Sequence, residues 1–211
     1  MQKQKPKFWD FLSKRYDRLI EKHAKQAYDA VIQLIKNELK PDYNILEIGA
    51  GTGIIALEIA SSAESIVAID TSKGMLESAK QKQLKEKITN IYFELGDAYN
   101  LSCNENSMDT VICMNVMHLL PQPEKVVSEI KRVVINDGKI ILPTYCHGEN
   151  FKSKIYSYLS SLSGFKVPNR WSIIGFHHFL ESQGLKILNE KTFPGKFPLA
   201  YVVLSKINSN E

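Results

Sequence analysis

Residues Ile45-Leu46-Glu47-Ile48-Gly49-Ala50-Gly51-Thr52-Gly53 decide the fold of this chain. The first four form a short, mostly apolar segment typical of a parallel strand, and residues 54–62 have the apolar spacing of a helix. Glycines between a strand and a helix let the backbone turn tightly and approach a ligand closely, while the helix start offers free N–H groups. The stretch therefore predicts a nucleotide site at the carboxyl end of a parallel strand.

Around this loop the chain alternates between predicted strands and helices. The strands are predicted at 43–48, 65–70, 90–95, 109–114 and 139–145, and the helices at 54–62, 71–87, 123–135 and 174–183. This alternation predicts a mostly parallel sheet with helices on both faces. Residues 185–192 and 199–207 look like two more strands, so we expect seven, with the last one antiparallel. Asp137-Gly138 is predicted as a turn before the fifth strand.

Composition limits the class of protein. The 211 residues suit one domain, and 44% hydrophobic and 24% charged residues are ordinary for a globular protein. No apolar run approaches the roughly 20 residues of a membrane span. The basic N-terminus has no apolar segment behind it, so we expect a cytoplasmic protein. The three cysteines, Cys103, Cys113 and Cys146, have the spacing of neither a zinc site nor a disulfide framework, and no metal site is predicted.

The formal net charge of +4 is concentrated at one end of the chain. Residues 1–25 carry eight Lys or Arg against three Asp or Glu, a local +5, and the other 19 basic and 20 acidic residues give −1. Such a patch could attract an acidic substrate, RNA or a membrane surface, although a solvated helix face is the commoner case. The excess is too small to predict nucleic-acid binding by itself.

Two residues argue against a dinucleotide ligand. The dinucleotide fingerprint is G-x-G-x-x-G, in which the third small residue lets the helix pack on the strand. Counted from Gly49, this third position is Ile54. Glu47 would repel a pyrophosphate but attract a cation. An NAD-dependent oxidoreductase is therefore disfavoured.

Residues 45–53 resemble the first motif of the Rossmann-like (class I) S-adenosylmethionine (SAM)-dependent methyltransferases. The resemblance continues over roughly residues 8–145, and the pair at 185–207 fits that family's antiparallel last strand. It implies a three-layer, doubly wound α/β fold with SAM as cofactor and S-adenosylhomocysteine as product. It also implies that Glu47 lies near the ammonium group of SAM and that the loop Gly49, Ala50, Gly51, Thr52 and Gly53 contacts the cofactor.

Further cofactor residues are expected where the next two strands end. Asp70 ends the second strand, 19 residues after Gly51, and a carboxylate there can accept both ribose hydroxyls; its alternative is a plain helix cap beside Thr71. By resemblance, Met75 packs near the adenine. Resemblance also implies that Asp97 accepts the adenine amino group while the Ala98 N–H meets a ring nitrogen; a turn aspartate is the alternative.

The segment after the fourth strand should lie beside the reactive methyl group. Asn115 is expected at the strand end, and His118 could act as a general base near neutral pH or simply form part of the wall. Methyltransferases of base amino groups typically have Asn or Asp followed by Pro-Pro and an aromatic residue, which residues 115–118 lack. The histidine-leucine pair at 118–119 looks closer to the small-molecule branch that includes the quinone-biosynthesis methyltransferases.

The resemblance also implies a division of the single domain. Residues 1–40 would form an N-terminal helical lid, made of two helices over 8–39 that break near residue 23 or 24, with Tyr16 at the methionine end of SAM. Residues 41–147 would be the SAM-binding core, 148–176 an acceptor-side cap, and 177–207 the last helix and terminal strand pair. An amphipathic helix that merely covers the sheet is the alternative to the lid.

The sequence therefore predicts SAM-dependent methyl transfer to a small molecule rather than to nucleic acid. SAM already carries an activated methyl group, so the protein must mainly align the acceptor and exclude water. An RNA or protein methyltransferase that uses the basic N-terminal segment stays open as an alternative. So does a SAM-binding regulatory protein without catalysis.

Overall fold

A mixed, mostly parallel sheet forms the centre of the computed structural model, which describes residues 6–149 and 166–207. Its strands are β1 (Asn44–Ile48), β2 (Ser65–Asp70), β3 (Ile91–Leu95), β4 (Met108–Ile112), β5 (Val134–Ile141), β6 (Thr144–Tyr145), β7 (Leu185–Phe193) and β8 (Leu199–Lys206). The strand order is β3-β2-β1-β4-β5-β8, and β1 to β5 run parallel to one another. Because β1 is central, the glycine loop that follows it emerges in the middle of one sheet edge.

Strand β8 lies between β5 and β7 and is antiparallel to both. The short strand β6 pairs with the same strand, Thr144 opposite Ala200, and continues the line of β5 after Pro143. Proline lacks the N–H that a continuous ladder needs. With β6 counted as an extension of β5, the sheet has the seven strands predicted, and its last strand is antiparallel.

Helices cover both faces of the sheet. They are α1 (Pro6–His23), α2 (Lys25–Glu38), α3 (Ile54–Ile59), α4 (Lys73–Glu86), α5 (Pro123–Val133) and α6 (Ile173–Ser182), with short 3₁₀ turns at Ala60–Ser62 and Met117–Leu119. The break between α1 and α2 falls at Ala24, as predicted. Buried apolar residues of α2, α3 and α4 pack on one face, and those of α5 and α6 pack on the other. The chain is therefore a three-layer α/β protein of the Rossmann-like type.

Alternate side chains of β1 pack into the two hydrophobic cores, one on each face of the sheet. Ile45 belongs to the cluster beneath α2 and α3, whereas Leu46 and Ile48 belong to the cluster beneath α5. All three are essentially fully buried. A strand that is apolar on both faces is expected for a parallel sheet covered by helices on both sides, and Glu47 is the exception that marks a site.

Two sequence predictions fail in the second half of the chain. Asp137-Gly138 is not a turn before the strand, because β5 already begins at Val134. The register jumps from Met108 opposite Val134 to Thr110 opposite Lys139, so the dipeptide lies in a bulge of β5. The predicted boundary at residue 177 is also wrong, since α6 begins at Ile173 with Ser172 as its cap. Most of the predicted cap, residues 150–165, lies outside the described residues.

Within the described segments, none of the helices combines the length and the apolar character that crossing a bilayer requires.

Candidate cofactor site

A cavity of about 320 Å³ opens at the carboxyl edge of the sheet. The ends of β1, β2, β3 and β4 contribute Ile48, Asp70, Asp97 and Asn115 to its wall. The predicted residues Tyr16, Gly49, Gly51, Thr71, Met75 and Ala98 also line it, together with Trp9, Tyr99, Val116, Leu119, Leu120 and Pro121. The lining residues span positions 9 to 121 of the sequence, and those that follow β1 to β4 meet at one edge because parallel strands end there together.

The glycine loop takes backbone conformations that favour glycine. Gly49, Gly51 and Gly53 have φ angles of +74°, +55° and +77°, in the left-handed region that other residues enter at a cost. The N–H groups of Gly49 and Ala50 donate to the Ile69 carbonyl at 2.8 and 2.9 Å, which ties the loop to β2. The loop is therefore held in one conformation before any ligand is present.

The members of the loop have different surroundings. Gly49 and Gly51 line the cavity, and the space beside the Gly51 Cα is open. Gly53 does not line the cavity. A Cβ at this position would lie 2.8 Å from the Phe93 ring and 3.0 Å from the Ala79 side chain. Its sequence position suggested a ligand contact, but its surroundings indicate that it lets α3 pack closely on α4.

Asp70 organises the edge where β2 ends. Its Oδ2 accepts the Gly51 N–H at 2.9 Å and its Oδ1 accepts the Ser72 N–H at 2.8 Å. Burial raises the pKa of the carboxyl, while these N–H bonds partly offset that effect. Each oxygen keeps further acceptor capacity toward the cavity. The adjacent Thr71 is exposed and Met75 is buried, and both line the cavity.

Asp97 and Ala98 form a turn where β3 ends. The Asp97 Oδ1 accepts the Tyr99 N–H at 3.1 Å, and the backbone pairs Asp97 with Asn100 in an isolated bridge. Asp97 is half-buried and Ala98 is buried on the cavity wall. The turn thus presents a carboxylate and a backbone edge side by side.

Glu47 is 2% exposed and sits beneath the glycine loop. Burial raises its pKa to about 8, and its Oε2 has no hydrogen-bond partner among the described residues. It lines a small space of about 30 Å³ together with Tyr16, Ala50 and Thr52, next to the larger cavity. A buried, unpartnered carboxyl oxygen is costly in an apo protein and indicates a missing partner that carries a proton or positive charge.

A hydrogen-bonded chain links helices α1 and α2 to the end of β4. The Asn115 Nδ2 donates to the Tyr28 hydroxyl at 3.2 Å, and that hydroxyl lies 3.3 Å from the hydroxyl of Tyr16. Asn115 has a φ of +56°, and its buried Oδ1 lacks a partner within the described part of the chain. Tyr28 was not predicted, because a tyrosine on an amphipathic helix carries no signal that distinguishes a site from the core.

Helix α1 is fastened over the cavity by two carboxylates. Asp10 accepts from the Ser72 hydroxyl at 2.5 Å and the Gly74 N–H at 3.0 Å, which lowers its pKa. Asp17 accepts from the Thr52 hydroxyl at 2.5 Å and from Lys82 at 2.8 Å. Because Trp9 and Tyr16 on the same helix line the cavity, these bonds place α1 over it.

His118, the predicted base, is not on the wall of the large cavity. It is 3% exposed, its ring centroid lies 5.0 Å from that of His147, and the His147 ring lies 4.3 Å from Phe197. Burial and the neighbouring imidazole lower its pKa to about 3. The ring is therefore neutral at pH 7 and a weak base, and a catalytic role for it stays a prediction.

Comparison with known proteins relates the central part of this chain to a protein family. Residues 46–142 match the methyltransferase domain family. A phosphatidylethanolamine N-methyltransferase of Cereibacter sphaeroides is 35% identical over 129 residues, which are 60% of this chain and 62% of that protein. A demethylmenaquinone methyltransferase of Renibacterium salmoninarum is 31% identical over 107 residues, 51% of this chain and 43% of that protein.

The fold comparison agrees. The crystal structure of a SAM-dependent methyltransferase from Aquifex aeolicus superposes with a TM-score of 0.70 at 18% identity, covering 95% of this chain and 98% of that one. The chain spans between 43% and 62% of the lengths of the two curated relatives. Residues 46–142 therefore match the methyltransferase domain family, and the chain shares the Rossmann-like fold of the Aquifex aeolicus structure.

Proposed function

We propose that this protein transfers a methyl group from SAM to a small-molecule acceptor and releases S-adenosylhomocysteine. The observation that carries the proposal is the pair of buried acceptors without partners, Glu47 Oε2 and Asn115 Oδ1, beside the glycine loop. SAM presents an ammonium group and a sulfonium centre, and these cationic groups suit such acceptors. A dinucleotide pyrophosphate at the same place would meet a carboxyl with nothing to neutralise it.

The remaining wall fits the rest of SAM. We assign Asp70 to the ribose hydroxyls, because it lines the cavity and each of its oxygens keeps acceptor capacity beyond its backbone hydrogen bond. Asp97 and the Ala98 N–H suit the adenine, and Met75 gives it an apolar surface. Gly49 and Gly51 allow the cofactor to approach the backbone, and Ala50, Thr52, Thr71 and Tyr16 complete the proposed contacts.

In the proposed reaction the chain positions groups and excludes water. Bound SAM would supply a methyl group activated by its sulfonium sulfur, and an acceptor lone pair would bond to that carbon as the carbon–sulfur bond breaks and S-adenosylhomocysteine leaves. The hydrogen-bonded chain from Tyr16 through Tyr28 fixes Asn115 at the end of β4, so that this edge is preorganised. Trp9 and Tyr16 cover the cavity from α1 and keep water out.

By their names, the two relatives methylate phosphatidylethanolamine and demethylmenaquinone. They support a small molecule as the acceptor here, in agreement with the histidine-leucine pair at 118–119. We propose that residues 148–176 form the acceptor side, because they follow the strand next to β4.

The direct test is calorimetric titration of the purified chain with S-adenosylhomocysteine and with NADH. We expect a micromolar dissociation constant for the first and no heat from the second. A screen of phospholipid, quinol and amine acceptors with labelled SAM then identifies the acceptor. Absence of S-adenosylhomocysteine binding to folded protein contradicts the proposal, and binding without turnover on any acceptor favours a regulatory protein.

Cofactor affinity should depend on the ionisation of Glu47. Because its pKa is about 8 in the folded protein, the carboxyl is protonated below that pH, and an adjacent ammonium group stabilises its ionised form. Binding should release a proton, so affinity for S-adenosylhomocysteine should rise by up to about tenfold per pH unit from roughly pH 6 to 8. Titrations in two buffers of different ionisation enthalpy measure the release.

Glu47→Gln should abolish this pH dependence, while Glu58→Gln on the exposed side of α3 should keep it. The raised pKa also means that the free protein loses stability as pH rises through the window from 4.5 to about 8. Glu47→Gln should flatten that stability profile as well. An unchanged proton release in Glu47→Gln would show that another group is responsible.

A further inference from the structure

The inner face of helix α1 contacts the cavity, helix α4 and the glycine loop. Trp9 and Tyr16 line the cavity, and Asp10 and Asp17 bind α4 and the glycine loop. The third acidic residue of the helix, Glu21, lies 3.8 Å from Lys25. All the acidic residues of α1 therefore have cationic or hydrogen-bonding partners.

The outer face of the same helix carries cations and exposed apolar side chains. At about 100° per residue, one arc of about 140° holds Lys14, Arg18, Phe11, Lys22, Arg15 and Leu19. The Phe11 side chain is 76% exposed and Leu19 is 41% exposed, and the four basic residues are exposed as well. We call this arc the basic face of α1.

The four cations of the basic face form no ion pair with any described residue. The sequence adds Lys3, Lys5 and Lys7 just before them, and this segment accounts for the whole excess of positive charge. Among the described residues no carboxylate compensates this row of cations, which lies beside an exposed aromatic ring. These cations and the exposed Phe11 ring would suit a partner that carries dense negative charge above a shallow apolar layer.

We propose that the basic face of α1 docks on an anionic lipid surface. Cations at that surface are attracted by acidic headgroups, and Phe11 and Leu19 can enter the boundary between headgroups and acyl chains. Single-stranded RNA fits less well, because such sites stack bases on several aromatic side chains in a groove. The basic face is convex and offers one ring.

Docking would place the proposed cofactor cavity close to the lipid. Trp9 and Tyr16 occupy the opposite side of the same helix, and a helix is about 10 Å across. The cavity would then lie one helix diameter from the headgroups. The docking itself rests only on the surface of α1 and needs neither cofactor nor turnover.

Vesicle flotation of the full chain tests the proposal. We expect binding to phosphatidylcholine vesicles that contain phosphatidylglycerol, little binding to pure phosphatidylcholine, and release at high salt. The triple variant Lys14→Gln, Arg15→Gln, Arg18→Gln should weaken binding about a hundredfold, from roughly fivefold per charge. Phe11→Ser should weaken it several-fold.

Matched controls separate the basic face from charge in general. The triple variant Lys40→Gln, Lys125→Gln, Lys191→Gln removes three exposed lysines elsewhere, and Ile174→Ser removes an apolar side chain that is 68% exposed. Both should bind vesicles like the unaltered chain. Thermal unfolding and S-adenosylhomocysteine titration check that every variant is folded.

Three results would overturn the proposal. One is equal binding to neutral and anionic vesicles, and another is an equal loss in the control triple variant. The third is binding of single-stranded RNA that the α1 triple variant abolishes, with no vesicle binding by the unaltered chain. Failure of methyl transfer in any acceptor screen leaves the vesicle result unaffected, so the two proposals fail separately.

Discussion

Asp70→Ala is expected to lower the affinity for S-adenosylhomocysteine by about 100- to 10,000-fold. The proposed ribose contacts are two hydrogen bonds to a charged acceptor, each of which contributes roughly 1.5–3 kcal/mol. The substitution also leaves the N–H groups of Gly51 and Ser72 without their acceptors, so the loop should lose order. Calorimetry measures the affinity, and urea denaturation measures the accompanying loss of stability.

Asp109→Ala is the matched control for this prediction. The Asp109 Oδ2 also accepts a backbone N–H, that of Asn44 at 2.8 Å, but near the amino ends of β1 and β4. We expect it to cost about 1 kcal/mol of stability and to leave cofactor affinity within about twofold. A folded Asp70→Ala protein that binds S-adenosylhomocysteine nearly as tightly as the control would refute the assignment of Asp70 to the ribose.

Gly49→Ala should destabilise the folded chain by about 3 kcal/mol. The left-handed backbone at φ +74° costs a non-glycine residue about 1 kcal/mol or more. A Cβ would also lie 2.2 Å from Cγ2 of Val116, and relieving such a clash costs roughly 1–3 kcal/mol. Denaturation in urea, with a constant m-value, gives the free energy of unfolding.

Gly51→Ala separates the two causes. Its φ is +55°, but no atom lies within 4 Å of the added Cβ, so only the backbone term of about 1 kcal/mol should remain. In the double variant Gly49→Ala, Val116→Ala the clash is removed and the backbone strain persists, so stability should return in part. Equal losses in Gly49→Ala and Gly51→Ala would show that contact with Val116 is unimportant.

The local signals of the sequence are enough to predict the central half of the fold. The conformation of residues 45–53 can be predicted from these residues alone, because closely spaced glycines after an apolar strand permit few other structures. The positions of Asp70 and Asp97 follow from the same logic, since parallel strands bring their carboxyl ends to one edge. The match of residues 46–142 to the methyltransferase domain family covers this same region.

The sequence predicts the structure less well where contacts between residues far apart in the chain decide it. Asp10 and Asp17 bind partners on α4 or at its N-cap that are 62 to 65 residues away in the sequence. No local sequence pattern indicates that an aspartate will hold its helix against a distant helix. The sequence also placed His118 near the methyl group from its position after β4. The 3₁₀ turn at 117–119 buries the ring beside His147, and His118 is not on the wall of the large cavity.

The bulge in β5 has a similar origin. A dipeptide of Asp and Gly is a strong turn signal, but hydrogen bonding to β4 resumes at Lys139, and strand pairing overrides the local preference.

The position of β8 between β5 and β7 has a consequence for how the protein is made. β8 is the last strand along the described residues, and most of its side chains are fully buried. A ribosome adds residues from the N-terminus onwards, so the glycine loop and the strands around it can assemble while β5 still has an unpaired apolar edge. Until β8 has emerged, the nascent chain carries an open strand edge that can template aggregation, and β8 then covers this edge.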